Sequence, residues 1–248
     1  MKISINFNNN PFSADLNQPI DISIPLKEGM ETVNCFWATY MDVAPVRMGS
    51  FVGSTQEGGA VNFKTVKFTP HGNGTHTECV GHISKEVYTI NQSLKQFHFV
   101  SQLISIYPQK QENGDRVITK EQLEGELIEG IQAIVIRTQP NDDLKLQTNY
   151  SGTNPPFIHH EAIEYLVKHG IEHLLLDLPS VDREEDDGKL LAHKAFWKYP
   201  ENIRTNATIT ELIYVDNRVK DGLYLLNIQI ASFELDASPS KPVLYKLK

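Results

Sequence analysis

The chain is short of cysteine, has no long apolar run and carries no excess of basic charge. Cys35 and Cys79 are its two cysteines, too few for the disulfide framework that holds small secreted domains together. Nowhere do about 18 apolar residues follow one another, which excludes a helical membrane span. Lys and Arg number 23 against 31 Asp and Glu, a net charge of -8. Proteins that bind nucleic acid or anionic membranes generally present a basic face instead. The opening residues Met1-Lys2-Ile3-Ser4-Ile5-Asn6-Phe7 alternate as a strand does and lack the form of a signal peptide, so a cytoplasmic location is expected. No internal repeat and no low-complexity segment is present. The composition that remains, 40% hydrophobic and 22% charged, is that of an ordinary globular protein. Its 248 residues suffice to bury a substantial core, and a single domain over 1–248 is expected.

The order of elements predicts a mixed α/β fold with more strand than helix. Ile3–Ile5 and Ile20–Ile24 alternate with period two and read as strands. Residues 26–60 carry Gly49, Gly53, Gly58 and Gly59 and read as a long loop or short hairpin lying over a site. Val61–Phe68 reads as a strand with a bulge where the alternation slips. Within Phe97–Tyr107 the second half reads as a strand, and Thr119-Lys120-Glu121-Gln122 has the form of a capping box that starts a short helix. Ile131–Arg137 is a buried strand. Ile158, Ala162, Ile163, Leu166 and Val167 then recur at helical spacing, with Gly170 as the cap. Ile171–Leu178 is nearly continuously apolar, as a strand covered on both faces should be. Strand, helix and strand in that order indicate a βαβ unit. A short helix over Leu190–Trp197 follows, and then strands over Ile209–Val215 and Leu223–Ile230, joined by a turn at Asp221-Gly222.

One stretch is dense in chemistry. Pro70-His71-Gly72-Asn73-Gly74-Thr75-His76-Thr77-Glu78-Cys79-Val80-Gly81-His82 packs histidines, a carboxylate and a thiol into thirteen residues. Imidazole and carboxylate together are the ligands of zinc, manganese and iron sites. In an extended run His76 and Glu78 point the same way, and His82, at even spacing from both, returns to that face. Two other readings stand beside the metal-binding loop. Gly72-Asn73-Gly74 is also ordinary turn chemistry. As a phosphate loop it lacks both the third glycine of the dinucleotide pattern and the Lys-Ser/Thr of a Walker loop.

The remaining candidates carry structural readings. His159 and His160 open the predicted helix and His169 closes it; His98 and His173 sit in apolar strands as hydrogen-bonded core or edge residues. Asp177 and Asp182 flank a strand end, where α/β sites often form, though Asp177 is expected to hold the turn at Pro179. The acidic run Glu184-Glu185-Asp186-Asp187 fits no EF-hand spacing and reads as a solvated loop. Cys79 is expected to be a small buried residue rather than a soft extra ligand. Phe36, Trp37 and Phe51 are equally placed for core packing and for stacking on an aromatic substrate.

The chain resembles the metal-dependent cyclase family, which includes bacterial kynurenine formamidases and isatin-hydrolase-like enzymes. Its signature, His-x-Gly-Thr-His-x-Asp-x-Pro-x-His, is similar to Gly72-Asn73-Gly74-Thr75-His76-Thr77-Glu78-Cys79-Val80-Gly81-His82. A second block, Asp-Thr-Pro-Ser-Val-Asp and then Ala-His, looks like Asp177-Leu178-Pro179-Ser180-Val181-Asp182 and Ala192-His193. Glu211, followed by the strand bearing Tyr224, matches a third. The resemblance implies a barrel-like or mixed β core with flanking helices, the swivelling β/β/α cyclase-like fold. It also implies one or two divalent ions, zinc or manganese, held by His76, Glu78, His82, His193 and Glu211. Homodimers or homotetramers are implied as well. The chain departs from the signature at Gly72, where the family has its first histidine. His71 stands one residue early, so either the turn is reshaped to bring His71 in or one ligand is lost.

A divalent ion lowers the pKa of bound water from about 15.7 toward about 7. With a proton donor, His71 or His82, beside such an ion, the expected activity is hydrolysis of a C–N bond other than a peptide. The resemblance implies an aryl formamide such as N-formylkynurenine, or a cyclic amide, as a small-molecule substrate. Two alternatives remain open: a cyclase or dehydratase-type enzyme on the same site, and a binding protein that has lost turnover with the histidine at position 72.

Overall fold

The computed structural model describes residues Met1–Lys248. Seven strands build the core: β1 (His76–Glu78), β2 (His98–Ile106), β3 (Ala133–Thr138), β4 (His173–Leu176), β5 (Thr208–Glu211), β6 (Gly222–Ile230) and β7 (Ala237–Lys246). Their spatial order is β6-β2-β3-β4-β5-β1-β7, and β7 pairs back onto β6, which closes the sheet into a barrel. Closure removes the free edges that would otherwise invite pairing with another chain. The sheet is mixed, with β2, β3, β4 and β5 mutually parallel and β1, β6 and β7 antiparallel to their neighbours. Ile20–Asp21 adds a short strand against β7.

Helices are few: α1 (Pro70–Asn73), α2 (Ile90–Ser93), α3 (His160–Lys168) and α4 (Leu191–Trp197). The β3-α3-β4 unit follows the predicted βαβ order. Every residue of β3 is buried because both of its faces are covered. Ile134 and Ile136 pack with Ile163 and Leu166 of α3 and with Phe196 and Trp197 of α4. Ala133 and Val135 face the other way, toward Phe99 of β2 and Leu226 of β6. Burying an apolar side chain of this size contributes about 1.5–3 kcal/mol, so α3 is held by its packed stripe more than by its nine residues of helix.

Several elements differ in extent from expectation. The Ile20–Ile24 strand contracts to Ile20–Asp21 plus a bridge between Ser23 and Ile213. The Val61–Phe68 strand contracts to the exposed Lys64–Lys67, which pairs with Asp42–Pro45. Residues 26–60 hold this pairing, a second small one between Arg47–Met48 and Phe51–Val52, and a 3-10 turn at Thr55–Glu57, rather than one loop. The capping box yields a single 3-10 turn, Lys120–Gln122, in which Gln122 Oε1 accepts from Thr119 N at 3.1 Å. β2 runs the length of the Phe97–Tyr107 segment, not half of it. β5 stops at Glu211 because Leu212 turns to φ +54°.

The turn at Asp221-Gly222 does not make β5 and β6 a hairpin, since β6 lies between β2 and β7. β7 itself was not anticipated. Pro239 and Pro242 cannot donate to a ladder, which argues against a strand in the sequence. They are nonetheless accommodated opposite His76 and Ile228.

Candidate metal centre

The site is built around β1, which is three residues long and paired on both sides. Glu211 of β5 stands opposite His76, and Ile209 opposite Glu78. His76 and Glu78 share one face, as alternation requires. Thr77 points to the other, where its hydroxyl lies 2.8 Å from Thr210 Oγ1. Ile209 packs in the same cluster as Phe196 and Trp197 of α4, and Glu211, two residues on, faces the same way. This is the helix-covered face of the barrel. There His76 Nε2 lies 3.4 Å from Glu211 Oε2, while His76 Nδ1 is 3.0 Å from Gly74 O. Glu211 Oε1 accepts from Val181 N at 3.0 Å.

The one-residue departure at Gly72 is absorbed by α1. A Cβ at Gly72 would come within 2.2 Å of Ala38 Cβ, and Gly72 O accepts from Cys35 N at 3.1 Å. Position 72 is therefore pressed against the 35–38 turn, and position 71 is the one turned to the site. His71 Nδ1 lies 3.1 Å from Glu78 Oε2. The turn therefore presents His71, and not position 72, to Glu78.

His82 arrives by a different route from strand parity. β1 ends at Glu78, and a 3-10 turn, Val80–His82, swings the chain back. A Cβ at Gly81 would sit 2.1 Å from Tyr88 O, so only glycine fits this turn. His82 Nδ1 ends 3.7 Å from Glu78 Oε2 and 3.5 Å from Asp236 Oδ2. The rings of His71 and His82 are 4.3 Å apart, centre to centre.

His193 comes from α4, whose start is held by Asp182. Ala192 N and His193 N donate to the Asp182 carboxylate at 2.8 and 3.1 Å, and His193 Nδ1 donates to Asp182 Oδ2 at 2.6 Å. The ring is thereby turned so that Nε2 lies 3.3 Å from Glu78 Oε1.

Three imidazoles, those of His71, His82 and His193, thus converge on Glu78, which is itself fully buried. Burial opposes the charge of Glu78, yet His82, His193 and His71 together hold its carboxyl well below the usual range. Burial likewise disfavours charge on His71 and His193, but their carboxylate partners, Asp236 or Asp182 together with Glu78, raise both to about 10. The His71 imidazole, 2.8 Å away, and the nearby His82 keep Asp236 well below the ordinary Asp value. A divalent ion and these imidazole protons compete for the same nitrogens.

The residues fit a divalent ion. His76 Nε2, His193 Nε2 and both oxygens of Glu78 are buried without a hydrogen-bond partner. Their neighbours are close but out of line for hydrogen bonding. Each such group costs about 1–3 kcal/mol, more when charged, so the cluster lacks something that accepts their lone pairs. Donor atoms of His71, His76 and Glu78, and likewise of Glu78, His82 and His193, lie within 4.8 Å of one another. Nitrogen and carboxylate oxygen of this kind suit zinc, manganese or iron.

All five expected ligand residues, His76, Glu78, His82, His193 and Glu211, meet here together with His71. Two participants were not expected: Asp182, which was placed only at a strand end, and Asp236, which no motif marked. Cys79 belongs to none of the donor groups, and its buried thiol lies 3.6 Å from Tyr88 O. His98, His159, His160, His169 and His173 stay outside the cluster. His98 sits beside Asn227 and His173 bonds Thr208 Oγ1 at 2.9 Å. Asp177 does not hold the Pro179 turn. It accepts from Thr138 N at 2.9 Å and from Lys145 Nζ at 2.7 Å, because a fully buried carboxylate needs a cation and amide donors. In the acidic run, Asp186 caps its own loop through Gly188 N and Leu190 N. Phe36, Trp37 and Phe51 are exposed and take no part in the core.

The closed mixed barrel thus carries, under its covering helix, a histidine and carboxylate cluster whose donor atoms could hold a metal ion. The chain belongs to the Cyclase family, which it matches over residues 20–183. It is 26% identical over 191 residues to the kynurenine formamidase of Bacillus cereus (strain ATCC 10987 / NRS 248), covering 76% of this chain and 82% of that one. Among solved structures, it is similar to a potential metal-dependent hydrolase with cyclase activity. That pair has a TM-score of 0.66 at 16% identity, with 92% of this chain and 97% of the other covered. It is also similar to isatin hydrolase A from Labrenzia aggregata, bound to benzyl benzoate. There the TM-score is 0.65 at 12% identity, over 92% of this chain and 93% of the other.

Proposed function

We propose that this protein is a metal-dependent hydrolase of a non-peptide C–N bond, its substrate an aryl formamide such as N-formylkynurenine or a cyclic amide. The observation that carries the reading is the set of buried, unpartnered donor atoms on His76, Glu78 and His193. The kynurenine formamidase and isatin hydrolase relatives support the choice of bond. His76, Glu78, His193 and Glu211 would hold the ion, joined by His71, with His82 at its rim. When bound, a divalent ion supplies hydroxide near neutral pH and polarises a carbonyl.

The chain's own residues supply the rest. The buried carboxylates of Glu78 and Glu211 orient and neutralise the imidazoles around the reacting centre. His71 Nε2 is committed to Asp236 at 2.8 Å. His82, which is partly exposed and makes no short hydrogen bond, is the imidazole free to move a proton. It takes one from the attacking water as the tetrahedral carbon forms and returns it to the nitrogen as the C–N bond breaks. Phe36 and Trp37 lie on the turn against which α1 packs, where exposed rings can stack on an aryl group. The reading of a scaffold without turnover rested on the glycine at 72, and His71 beside Glu78 takes that support away.

The test is metal content of the purified protein together with hydrolysis of formylated anilines and cyclic amides. One or two ions per chain, lost in His76→Ala, with metal-dependent turnover of either substrate class is the expected result. A protein that binds neither zinc nor manganese would overturn the reading.

A further inference from the structure

His71 and His193 flank Glu78 in the same manner. Asp182 Oδ2 accepts from His193 Nδ1 at 2.6 Å, and the opposite nitrogen of that ring lies 3.3 Å from Glu78 Oε1. Asp236 Oδ2 lies 2.8 Å from His71 Nε2, and the opposite nitrogen of that ring lies 3.1 Å from Glu78 Oε2. One buried carboxylate is thus bracketed by two imidazoles, each with an outer carboxylate on its far side. A carboxylate that accepts the outer N–H of an imidazole fixes the ring's orientation and aims its other nitrogen inward.

The two outer carboxylates differ in origin. Asp182 starts α4 and would serve that helix even without a site. Asp236 has no helix to cap, and its side chain faces only His71 and His82. Its backbone is anchored separately, since its carbonyl accepts from Cys79 N at 3.0 Å. The side chain can therefore be changed without unpinning the start of β7 from β1. α1 is one turn long and offers His71 little support of its own. Without Asp236 the ring, which is partly exposed, has nothing on its outer side to hold it toward Glu78.

We infer that Asp236 is a positioning residue. It holds His71 with Nδ1 facing the Glu78 cluster and so makes His71 a ligand of the divalent ion. The ligand role rests on the proposed function; the orientation does not.

The experiment compares wild type, Asp236→Ala, Asp236→Glu and His71→Ala by calorimetric zinc titration and by NMR of labelled histidines. In the metal-free protein the His71 Hε2 proton should be protected from solvent exchange, lost in Asp236→Ala and kept in Asp236→Glu. Zinc should bind about 10–100-fold more weakly to Asp236→Ala, approaching His71→Ala, with Asp236→Glu recovering part of the loss. Wild-type zinc affinity in Asp236→Ala would overturn the ligand role, and an unprotected Hε2 in wild type would overturn the positioning. A wild-type protein that binds no zinc, yet keeps the protected proton, would remove the proposed function and the ligand role while leaving the orientation standing.

Discussion

Asp182 and His193, eleven residues apart, share one carboxylate oxygen: Asp182 Oδ2 accepts both the backbone N–H and the ring Nδ1–H of His193. The same carboxylate also takes Ala192 N at 2.8 Å. Helix start and ring orientation therefore depend on a single side chain. Asp182→Ala is expected to leave those donors unpaired and to cost about 1–3 kcal/mol of stability. It should also weaken divalent-metal binding about 10–100-fold. A urea unfolding curve reads the first effect and a zinc titration the second. Unchanged zinc affinity would show that His193 is oriented by its packing on Trp197 rather than by Asp182.

Metal should stabilise the fold, since the donors come from β1, α1, α4 and β5 and are assembled only in the native state. Zinc or manganese at about 100 times its dissociation constant should add about 2.7 kcal/mol. For a chain of this length that corresponds to a rise in Tm of about 5–10 °C. Chelator should reverse the rise. His76→Ala should abolish it, because His76 Nε2 has no other partner.

The packing at Gly72 predicts that restoring a histidine at that position does not restore a ligand. A Cβ there meets Ala38 Cβ at 2.2 Å, so Gly72→His should overpack the α1 turn and destabilise by about 1–3 kcal/mol. The double variant Gly72→His with His71→Ala should bind zinc no better than His71→Ala alone. Recovery of wild-type affinity would mean that α1 can rotate by one residue.

His173 sets a separate pH dependence. It is buried against Phe99 with Nδ1 on Thr208 Oγ1, and burial lowers its pKa to about 3. In the unfolded chain an imidazole titrates near about 6.5. Between those values the unfolded state binds a proton that the native state does not, so stability falls as pH falls from about 6.5 toward 3. Between pH 7 and pH 5 this one group should cost about 2 kcal/mol. His173→Gln should lack that share of the loss, read as the difference in urea midpoints at the two pH values. Parallel curves for the two proteins would mean that His173 is protonated in the native state.

The proposed function gives proton transfer to His82. His82→Ala should lower kcat by about 100-fold or more while leaving metal content largely intact, because His76, Glu78, His193 and Glu211 remain. Loss of the metal in that variant would make His82 a ligand first.

What the residue order determined about this protein was periodic or local. Two-residue alternation placed His76 and Glu78 on one face, the apolar runs marked β3 and β4, and the helical stripe marked α3. These follow from backbone geometry, which repeats and so can be read without knowing neighbours. The expected ligand set, drawn from distant parts of the chain, came instead from the resemblance of three short blocks to a known family.

Tertiary structure alone decided the rest. Whether position 71 or 72 faces the site depends on Ala38, more than thirty residues away in sequence. Asp236 is an unremarkable aspartate until β7 closes the barrel against β1 and sets it 2.8 Å from His71, 165 residues distant. β7 itself, interrupted by two prolines, became a strand because β1 and β6 offered it partners on both sides. Contacts of that kind are set by which strands meet when the sheet closes, a property of the whole chain that no short stretch of sequence carries.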